Sequence, residues 1–237
     1  MKRNLFQMTC ATFGVLFASF GSSGEARAQT AETVSVGGSN VVLIKPKAPR
    51  ASVILMGGGD GYIGAAPGGV VTRLQGNQLV RTRNAYAARG LAVMVADAGT
   101  DLNSAVQYMA AIKRPVKVVA TSRGTLRAAE GIAAGARPDA LVLTSGFLSN
   151  ESGGRQNVMS ILGSPASMPR TLVIHHRQDG CRTTLPAGVE PFVRWASGKA
   201  RVIWLNGGSE AGDPCEAQGH HGFAGLDGQV VGAAAGF

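Results

Sequence analysis

The chain has 237 residues, of which 45% are hydrophobic and 16% are charged. Lysine and arginine outnumber aspartate and glutamate by 23 to 14, but they form no long basic run, which argues against a nucleic-acid partner. We interpret the excess positive charge as a source of solubility, and attraction to anionic surfaces or substrates is the alternative. Neither a CxxC pair nor an HExxH motif occurs, so the sequence indicates no metal site.

The first 28 residues have the pattern of a signal peptide. Lys2 and Arg3 give a basic start, residues 5–20 form an apolar run, and small residues end at Ala28. A membrane anchor is the alternative, but the run is interrupted and falls short of the roughly 20 apolar residues that span a bilayer. We therefore expect cleavage after Ala28, export to the periplasm or beyond, no stable membrane anchor, and one domain over residues 29–237.

The remaining sequence alternates between strand-like and helix-like segments. Residues 33–45 contain two strand-like pieces around Gly37-Gly38, typical of a hairpin at a sheet edge. Six short apolar runs then suit strands that are buried on both faces, at residues 52–56, 91–96, 116–120, 140–143, 171–174 and 200–205. Helix-like segments separate or follow them, at residues 76–89, 101–113, 125–134, 186–197 and 229–237. This order predicts a doubly wound α/β domain with a mostly parallel sheet.

Ser122 follows one of these apolar runs and precedes a helix-like segment. This is the context of a nucleophile elbow, in which the serine occupies a strained turn between strand and helix and small neighbours are required. Gly124 supplies the small residue after the serine, whereas Ala120 departs from the usual glycine before it. An ordinary helix N-cap is the alternative interpretation of Ser122.

A glycine-rich segment follows the first apolar run. We expect the backbone amides of Gly58 and Gly59, together with that of Arg123, to stabilise an oxyanion. The same segment also matches GxGxxG, the dinucleotide fingerprint, at Gly59, Gly61 and Gly64. That alternative is disfavoured because Pro67-Gly68-Gly69 follows in place of a clean helix and no acidic residue lies at the expected spacing.

Two loops near the end of the chain hold the candidate acid and base. Asp179 follows the run at residues 171–174, where catalytic groups gather in open α/β sheets. A solvated turn aspartate is the alternative, and Glu151 is the reserve acid. His221 lies in a glycine-rich loop after the last strand, and we prefer it to His220 as the general base for Ser122. Two surface histidines would be the other interpretation.

The remaining histidines and cysteines have structural interpretations. His175 and His176 are adjacent at a strand end and point to opposite faces, so they do not jointly hold a metal. Cys181 and Cys215 are the two cysteines after residue 28, and a disulfide between them is expected in an oxidising compartment. Such a bridge would tie the loop of Asp179 to the loop of His221. Two separate buried thiols are the alternative.

Taken together, these motifs resemble the α/β-hydrolase superfamily, in particular exported bacterial members with a TSRGT nucleophile turn, an HHxxDxC acid loop and an HGF base loop. The resemblance implies a fold without a large lid domain, the triad order Ser122, Asp179, His221, a small-molecule acyl substrate and no metal or organic cofactor. It therefore predicts a serine hydrolase of the esterase type. A catalytically inactive binding protein and an exported acyltransferase are the alternatives.

Residues 76–83 also resemble the segment that follows the oxyanion loop in such proteins. The sequence leaves two roles open for Arg81 and Arg83, which are binding a substrate anion and solvating a helix. We favour the second.

Overall fold

The computed structural model describes Met1 and residues 29–237. The predicted signal peptide, its cleavage after Ala28 and the alternative of a membrane anchor fall on residues 2–28 and so lie outside the described residues. Among the described residues, no helix has the length and apolar character needed to cross a bilayer.

One eight-stranded sheet forms the centre of the described protein, and two short strands pair beside it. The strands are β1 Gln29–Val36, β2 Ser39–Pro46, β3 Ala51–Met56, β4 Ala65–Ala66, β5 Val70–Val71, β6 Leu91–Ala96, β7 Val116–Thr121, β8 Ala140–Thr144, β9 Thr171–His176 and β10 Ala200–Leu205. The strand order in the large sheet is β1-β2-β6-β3-β7-β8-β9-β10. Strands β1 and β2 form an antiparallel hairpin, β2 pairs antiparallel with β6, and the strands from β6 to β10 in that order are parallel. The short strands β4 and β5 pair with each other.

Within residues 29–237, seven α-helices cover the two faces of this sheet. They are α1 Gln78–Arg81, α2 Arg83–Ala88, α3 Leu102–Ile112, α4 Gly124–Ala133, α5 Val158–Leu162, α6 Val189–Trp195 and α7 Asp227–Gly236. Apolar residues of α3, α4, α5 and α6 pack on one face, and those of α1, α2 and α7 pack on the other. The doubly wound, mostly parallel α/β architecture predicted from the sequence is therefore confirmed.

The parallel strands read as continuous apolar runs because both of their faces are covered. In β3, Val53 and Leu55 pack with the α1, α2 and α7 layer, whereas Ile54 and Met56 pack with the opposite layer. All six residues of β3 are buried. Burial on both sides removes the polar alternation of a half-exposed strand, so apolar runs were the correct signal.

The predicted helix at residues 76–89 is wrong in one respect, because it is broken into α1 and α2 at Thr82. The Thr82 hydroxyl donates to the Gln78 carbonyl at 2.6 Å and thereby competes with the regular helix ladder. The segment between β8 and β9 contains α5 and two short 3-10 helices, Asn150–Ser152 and Pro165–Ser167, in keeping with a fold that lacks a large lid.

Candidate active site

Ser122 lies in a strained turn at the carboxyl end of β7. Its φ angle is +52°, which is rare for a residue other than glycine, and α4 begins two residues later at Gly124. A Cβ atom at Gly124 would lie 2.3 Å from the Met56 carbonyl oxygen, so only glycine allows α4 to approach the end of β3 this closely. The turn therefore places the Ser122 side chain above the end of the sheet, close to the loop that follows β3.

His221 and Asp179 continue a line of hydrogen-bond contacts from Ser122. His221 Nε2 is 3.0 Å from Ser122 Oγ, and His221 Nδ1 is 3.1 Å from Asp179 Oδ2. Asp179 lies three residues after β9, and His221 lies in the 3-10 helix His220–Gly222 after β10. Three residues far apart in sequence are thus brought together at the carboxyl edge of the sheet, in the order serine, imidazole, carboxylate.

Thr184 is a fourth member of this network that the sequence did not reveal. Its hydroxyl donates to Asp179 Oδ2 at 3.2 Å and lies 3.0 Å from His221 Nδ1, and the side chain is fully buried. The backbone amide of Cys181 also donates to the other oxygen of Asp179, at 3.0 Å. Asp179 is only 3% exposed, so these donors stabilise its negative charge in a site that excludes bulk water. It is not a solvated turn residue.

His175 completes the surroundings of Asp179. Its Nε2 lies 3.5 Å from Asp179 Oδ2, and its ring packs edge-on against Trp204. The ring is fully buried, and burial lowers the pKa of His175 to about 4. His175 is therefore neutral near pH 7 and adds no positive charge beside Asp179.

The other two histidines form a separate pair. The His220 ring stacks on His176 with 4.2 Å between the ring centres, and His220 Nδ1 lies 2.9 Å from Glu210. His221 and not His220 thus lies beside Ser122. His176 accepts a hydrogen bond from the Gln178 amide and contacts the Gly207 carbonyl, which fixes the loops after β9 and β10 to each other. The reserve acid Glu151 instead accepts from the Ser149 hydroxyl at 2.7 Å.

The glycine loop after β3 borders Ser122. A Cβ atom at Gly58 would lie 2.9 Å from the Ser122 Cβ, so the loop could not approach the serine if position 58 carried a side chain. In the described part of the chain, the backbone amides of Gly58, Gly59 and Arg123 have no acceptor. Arg127 donates to the Gly57 and Gly59 carbonyls and thereby fixes the loop.

The dinucleotide interpretation of this loop is wrong. Gly59, Gly61 and Gly64 all have positive φ angles, and the chain continues from them into the short strand β4. Phosphate recognition by a GxGxxG turn requires a helix N-terminus directly after the glycines, and none follows here.

A cavity of about 280 Å³ opens beside Ser122 and His221. Its wall combines the glycine loop with polar side chains, among them Asn77, Glu216 and Gln218. The Asn77 side chain is held in place because its Oδ1 accepts a hydrogen bond from the Leu79 amide and thereby caps α1. The amide nitrogen of Asn77 lies 3.4 Å from the position of a Cβ atom at Gly58 and so borders the region above Ser122.

The predicted disulfide between Cys181 and Cys215 is present, so the two cysteines are not separate thiols. Cys181 lies two residues after Asp179, and Cys215 lines the cavity. The bridge therefore links the loop of Asp179 to the segment that leads into His221, as expected from the positions of the two cysteines.

Neither expected role fits Arg81. Its guanidinium donates to Asp227 at 2.8 Å, to the Gly222 carbonyl at 2.7 Å and to the Ala217 carbonyl at 3.3 Å. The guanidinium donors are therefore used within the protein, so Arg81 neither solvates a helix nor offers a free charge to a substrate. It attaches α1 to the loop that carries His221. Arg83 donates instead to the Val80 carbonyl, within its own helical segment.

Comparisons with known proteins agree with this architecture. No protein-family model matches the chain, and no curated protein matches it by sequence. Many solved structures match its fold. A Thermus thermophilus protein has a TM-score of 0.61 at 16% identity, covering 88% of this chain and 96% of its own.

Two further matches have names that state an activity. A dienelactone hydrolase from Anabaena variabilis has a TM-score of 0.58 at 15% identity, covering 90% of this chain and 97% of its own. The esterase domain of a Rhodothermus marinus protein has a TM-score of 0.58 at 11% identity, covering 88% of this chain and 98% of its own. At these identities the similarity establishes the fold, which is that of the α/β-hydrolases.

Proposed function

We propose that this protein is an exported serine hydrolase that cleaves a small ester through a covalent acyl-enzyme. The observation that carries the proposal is the unbroken contact chain from Asp179 through His221 to Ser122, with Ser122 held in a left-handed turn beside free backbone amides. The dienelactone hydrolase and esterase activities named for proteins of the same fold agree with it.

In the proposed mechanism, His221 Nε2 removes the proton of Ser122 as Oγ attacks the acyl carbon. Asp179 accepts from His221 Nδ1, fixes the tautomer of the ring and stabilises the imidazolium that forms. The amides of Gly58, Gly59 and Arg123 stabilise the negative carbonyl oxygen. His221 then protonates the leaving alcohol, and a water molecule activated by the same ring releases the acid.

The cavity favours a compact substrate. Its volume of about 280 Å³ lies at the small end of ligand sites, so a long acyl chain would exceed it. Its wall is mixed, since Leu74, Ala217 and the glycine loop lie beside side-chain amides and the Glu216 carboxylate. Glu216 at the wall also disfavours an anionic substrate by charge repulsion. We therefore propose a short acyl group on a neutral or cationic ester.

Export is the remaining part of the proposal. A disulfide between Cys181 and Cys215 is compatible with an oxidising compartment, where such bonds persist. Expression of the full chain in a bacterial host, followed by N-terminal sequencing of the exported protein, tests it. The expected first residue is Gln29, and retention of residues 1–28 would contradict cleavage after Ala28.

A fluorophosphonate probe tests the chemistry directly. We expect labelling of the wild type and of the control Ser209→Ala, and no labelling of Ser122→Ala. Hydrolysis of p-nitrophenyl acetate should exceed that of the decanoate ester and should disappear in Ser122→Ala. A folded wild type that neither reacts with the probe nor turns over esters would instead be a binding protein. Transfer to added alcohols in preference to water would identify an acyltransferase.

A further inference from the structure

The edge of the sheet opposite Ser122 carries an unusual concentration of positive charge. Ser122 follows the carboxyl end of β7, so the opposite edge is formed by the loops that precede the parallel strands. Lys45, Lys47 and Arg50 precede β3, and Arg89 precedes β6. All four are exposed.

The same pattern continues across the next three strands. Lys113 and Arg114 precede β7, Arg137 precedes β8 and Arg170 precedes β9. These four side chains are also exposed. The last strand, β10, follows the pattern with Lys199 and Arg201, and the ten residues together are called the basic edge below.

Backbone hydrogen bonds show that these loops are neighbours in one row. The Arg50 amide donates to Gly90, the Ser52 amide to Pro115 and the Asp139 amide to Val116, at 2.8 to 2.9 Å. Two more bonds, from the Leu141 amide to Arg170 and from the Thr171 amide to Lys199, extend the row to β10. Six strands at a spacing of about 4.8 Å make the row roughly 24 Å long.

The charge on this edge is strongly unbalanced. Residues 29–237 hold 20 lysines and arginines and 13 aspartates and glutamates, because three of the 23 cations and one of the 14 acids lie in residues 1–28. The basic edge has ten of these cations and a single acidic side chain, Asp139, which pairs with Arg114 at 2.6 Å. Arg170 in addition donates to the carbonyl group of the terminal residue Phe237. The remainder of residues 29–237 thus holds ten cations against twelve acids, so the excess positive charge is concentrated on one edge.

Stabilisation of helix ends accounts for only part of this pattern. Arg89 and Lys113 occupy the carboxyl-terminal caps of α2 and α3, where a cation is favourable. Arg137 and Lys199 likewise donate to carbonyls at the end of α4 and of the 3-10 helix Pro165–Ser167. Lys45 and Lys47, in contrast, lie at the end of β2, and their ammonium groups make no hydrogen bond or ion pair within the described residues. These charges face solvent without a partner.

We propose that the basic edge docks the protein onto an anionic lipid bilayer surface, with the site of Ser122 facing away from the lipid. Two observations favour a bilayer over a nucleic acid or a peptide. The charges lie along one row, and the cavity at this edge is only about 90 Å³, so no deep groove is available for a polymer strand. The large apolar side chains that are exposed in the described chain, Met1, Tyr62, Val70 and Tyr108, lie outside these loops. The Phe237 ring does lie at this edge, but the guanidinium groups of Arg170 and Arg201 stack on it at 4.5 and 5.0 Å, so it offers no open platform for base stacking.

Docking of this kind is electrostatic and reversible. Lysine and arginine side chains near an anionic leaflet are attracted within about a Debye length, and no apolar group inserts into the lipid. The proposal does not depend on ester hydrolysis, because the basic edge and the site of Ser122 lie at opposite ends of β7.

Vesicle sedimentation tests the proposal with the exported protein. We expect binding to phosphatidylglycerol-containing phosphatidylcholine vesicles, little binding to pure phosphatidylcholine, and loss of binding as sodium chloride is raised. The triple variant Lys45→Gln, Lys47→Gln, Lys113→Gln should bind at least about tenfold more weakly. Its hydrolysis of a soluble ester should equal that of the wild type.

A matched variant separates the edge from overall charge. Arg155→Gln, Arg177→Gln, Arg182→Gln removes the same three charges from loops at the opposite end and should weaken binding by less than about threefold. Equal weakening by the two triple variants would overturn the proposal, as would absence of binding to the phosphatidylglycerol vesicles. Tighter binding to mixed-sequence duplex DNA than to vesicles, lost in the lysine variant, would assign the edge to nucleic acid instead.

Discussion

Replacing Thr184 by valine removes one hydroxyl from the centre of the proposed catalytic network and leaves its shape almost unchanged. The hydroxyl donates to Asp179 at 3.2 Å and lies 3.0 Å from His221 Nδ1, with no solvent access. A hydrogen bond to a charged group contributes about 1.5–3 kcal/mol, and its loss leaves a buried carboxylate with one donor fewer. If this stabilisation is needed when His221 becomes protonated, kcat falls by roughly 10- to 150-fold.

Steady-state kinetics on p-nitrophenyl acetate measures this effect, because the hydroxyl does not line the cavity and KM should stay within about twofold of the wild type. Thr184→Ser keeps the hydroxyl and is the matched control, with kcat expected within about threefold of the wild type. Urea unfolding verifies that both variants are folded. A folded Thr184→Val protein with wild-type kcat would refute the reasoning, since the hydroxyl would then contribute nothing to the transition state.

Three further changes probe the frame around the site. Joint replacement of Cys181 and Cys215 by serine opens a loop with a sequence separation of 34 residues, which should lower the free energy of unfolding by about 4 kcal/mol. The variant protein that remains folded should have a reduced kcat, and unchanged kinetics would contradict the positioning role of the disulfide. Gly124→Ala places a Cβ 2.3 Å from a backbone oxygen and should abolish folding or activity, as measured by circular dichroism and ester hydrolysis. The control Gly228→Ala meets no atom within 4 Å and should leave both folding and activity unchanged. Burial lowers the pKa of His175 to about 4 from an unfolded value near 6.5, so the contribution of the neutral ring to stability is complete above pH 6.5 and is lost as the pH falls toward 4. The free energy of unfolding of His175→Gln, measured with urea, should therefore depend less on pH between 4 and 6.5 than that of the wild type. Identical slopes of this free energy against pH would refute the prediction.

The fold was predictable because buried strands consist of apolar residues, and such runs are visible in the sequence. The apolar run at residues 91–96 coincides with β6, since a strand covered on both faces tolerates few polar side chains. The run at residues 200–205 also coincides with a strand, β10, although this strand lies at the sheet edge and is only partly buried. The run at residues 171–174 ended too early, because β9 continues through His175 and His176. Histidine is not expected in such a strand, and only the packing of neighbouring loops and Trp204 makes its burial possible.

The proposed site was predictable to the extent that its residues follow strand ends. Ser122 and Asp179 each follow a parallel strand, and the topology alone brings such positions to one edge. Thr184 and Arg81 have no equivalent signal. Thr184 meets His221 across 37 residues of sequence, and Arg81 meets Asp227 across 146, by loop paths that no local periodicity encodes.

The guanidinium of Arg81 joins three stretches of chain that are remote from one another: the start of α1, the turn that ends at Gly222 and the first residue of α7. A substitution in one of these stretches that removes a partner of Arg81 therefore affects the attachment of the other two. Among homologues, loss of the carboxylate at position 227 should accompany loss of the arginine at position 81, since either group alone would leave a half-buried charge without its counterion. The exposed residues 211–213 lie between Glu210 and the disulfide at Cys215 and outside this restraint, so we expect insertions to be accommodated most readily there.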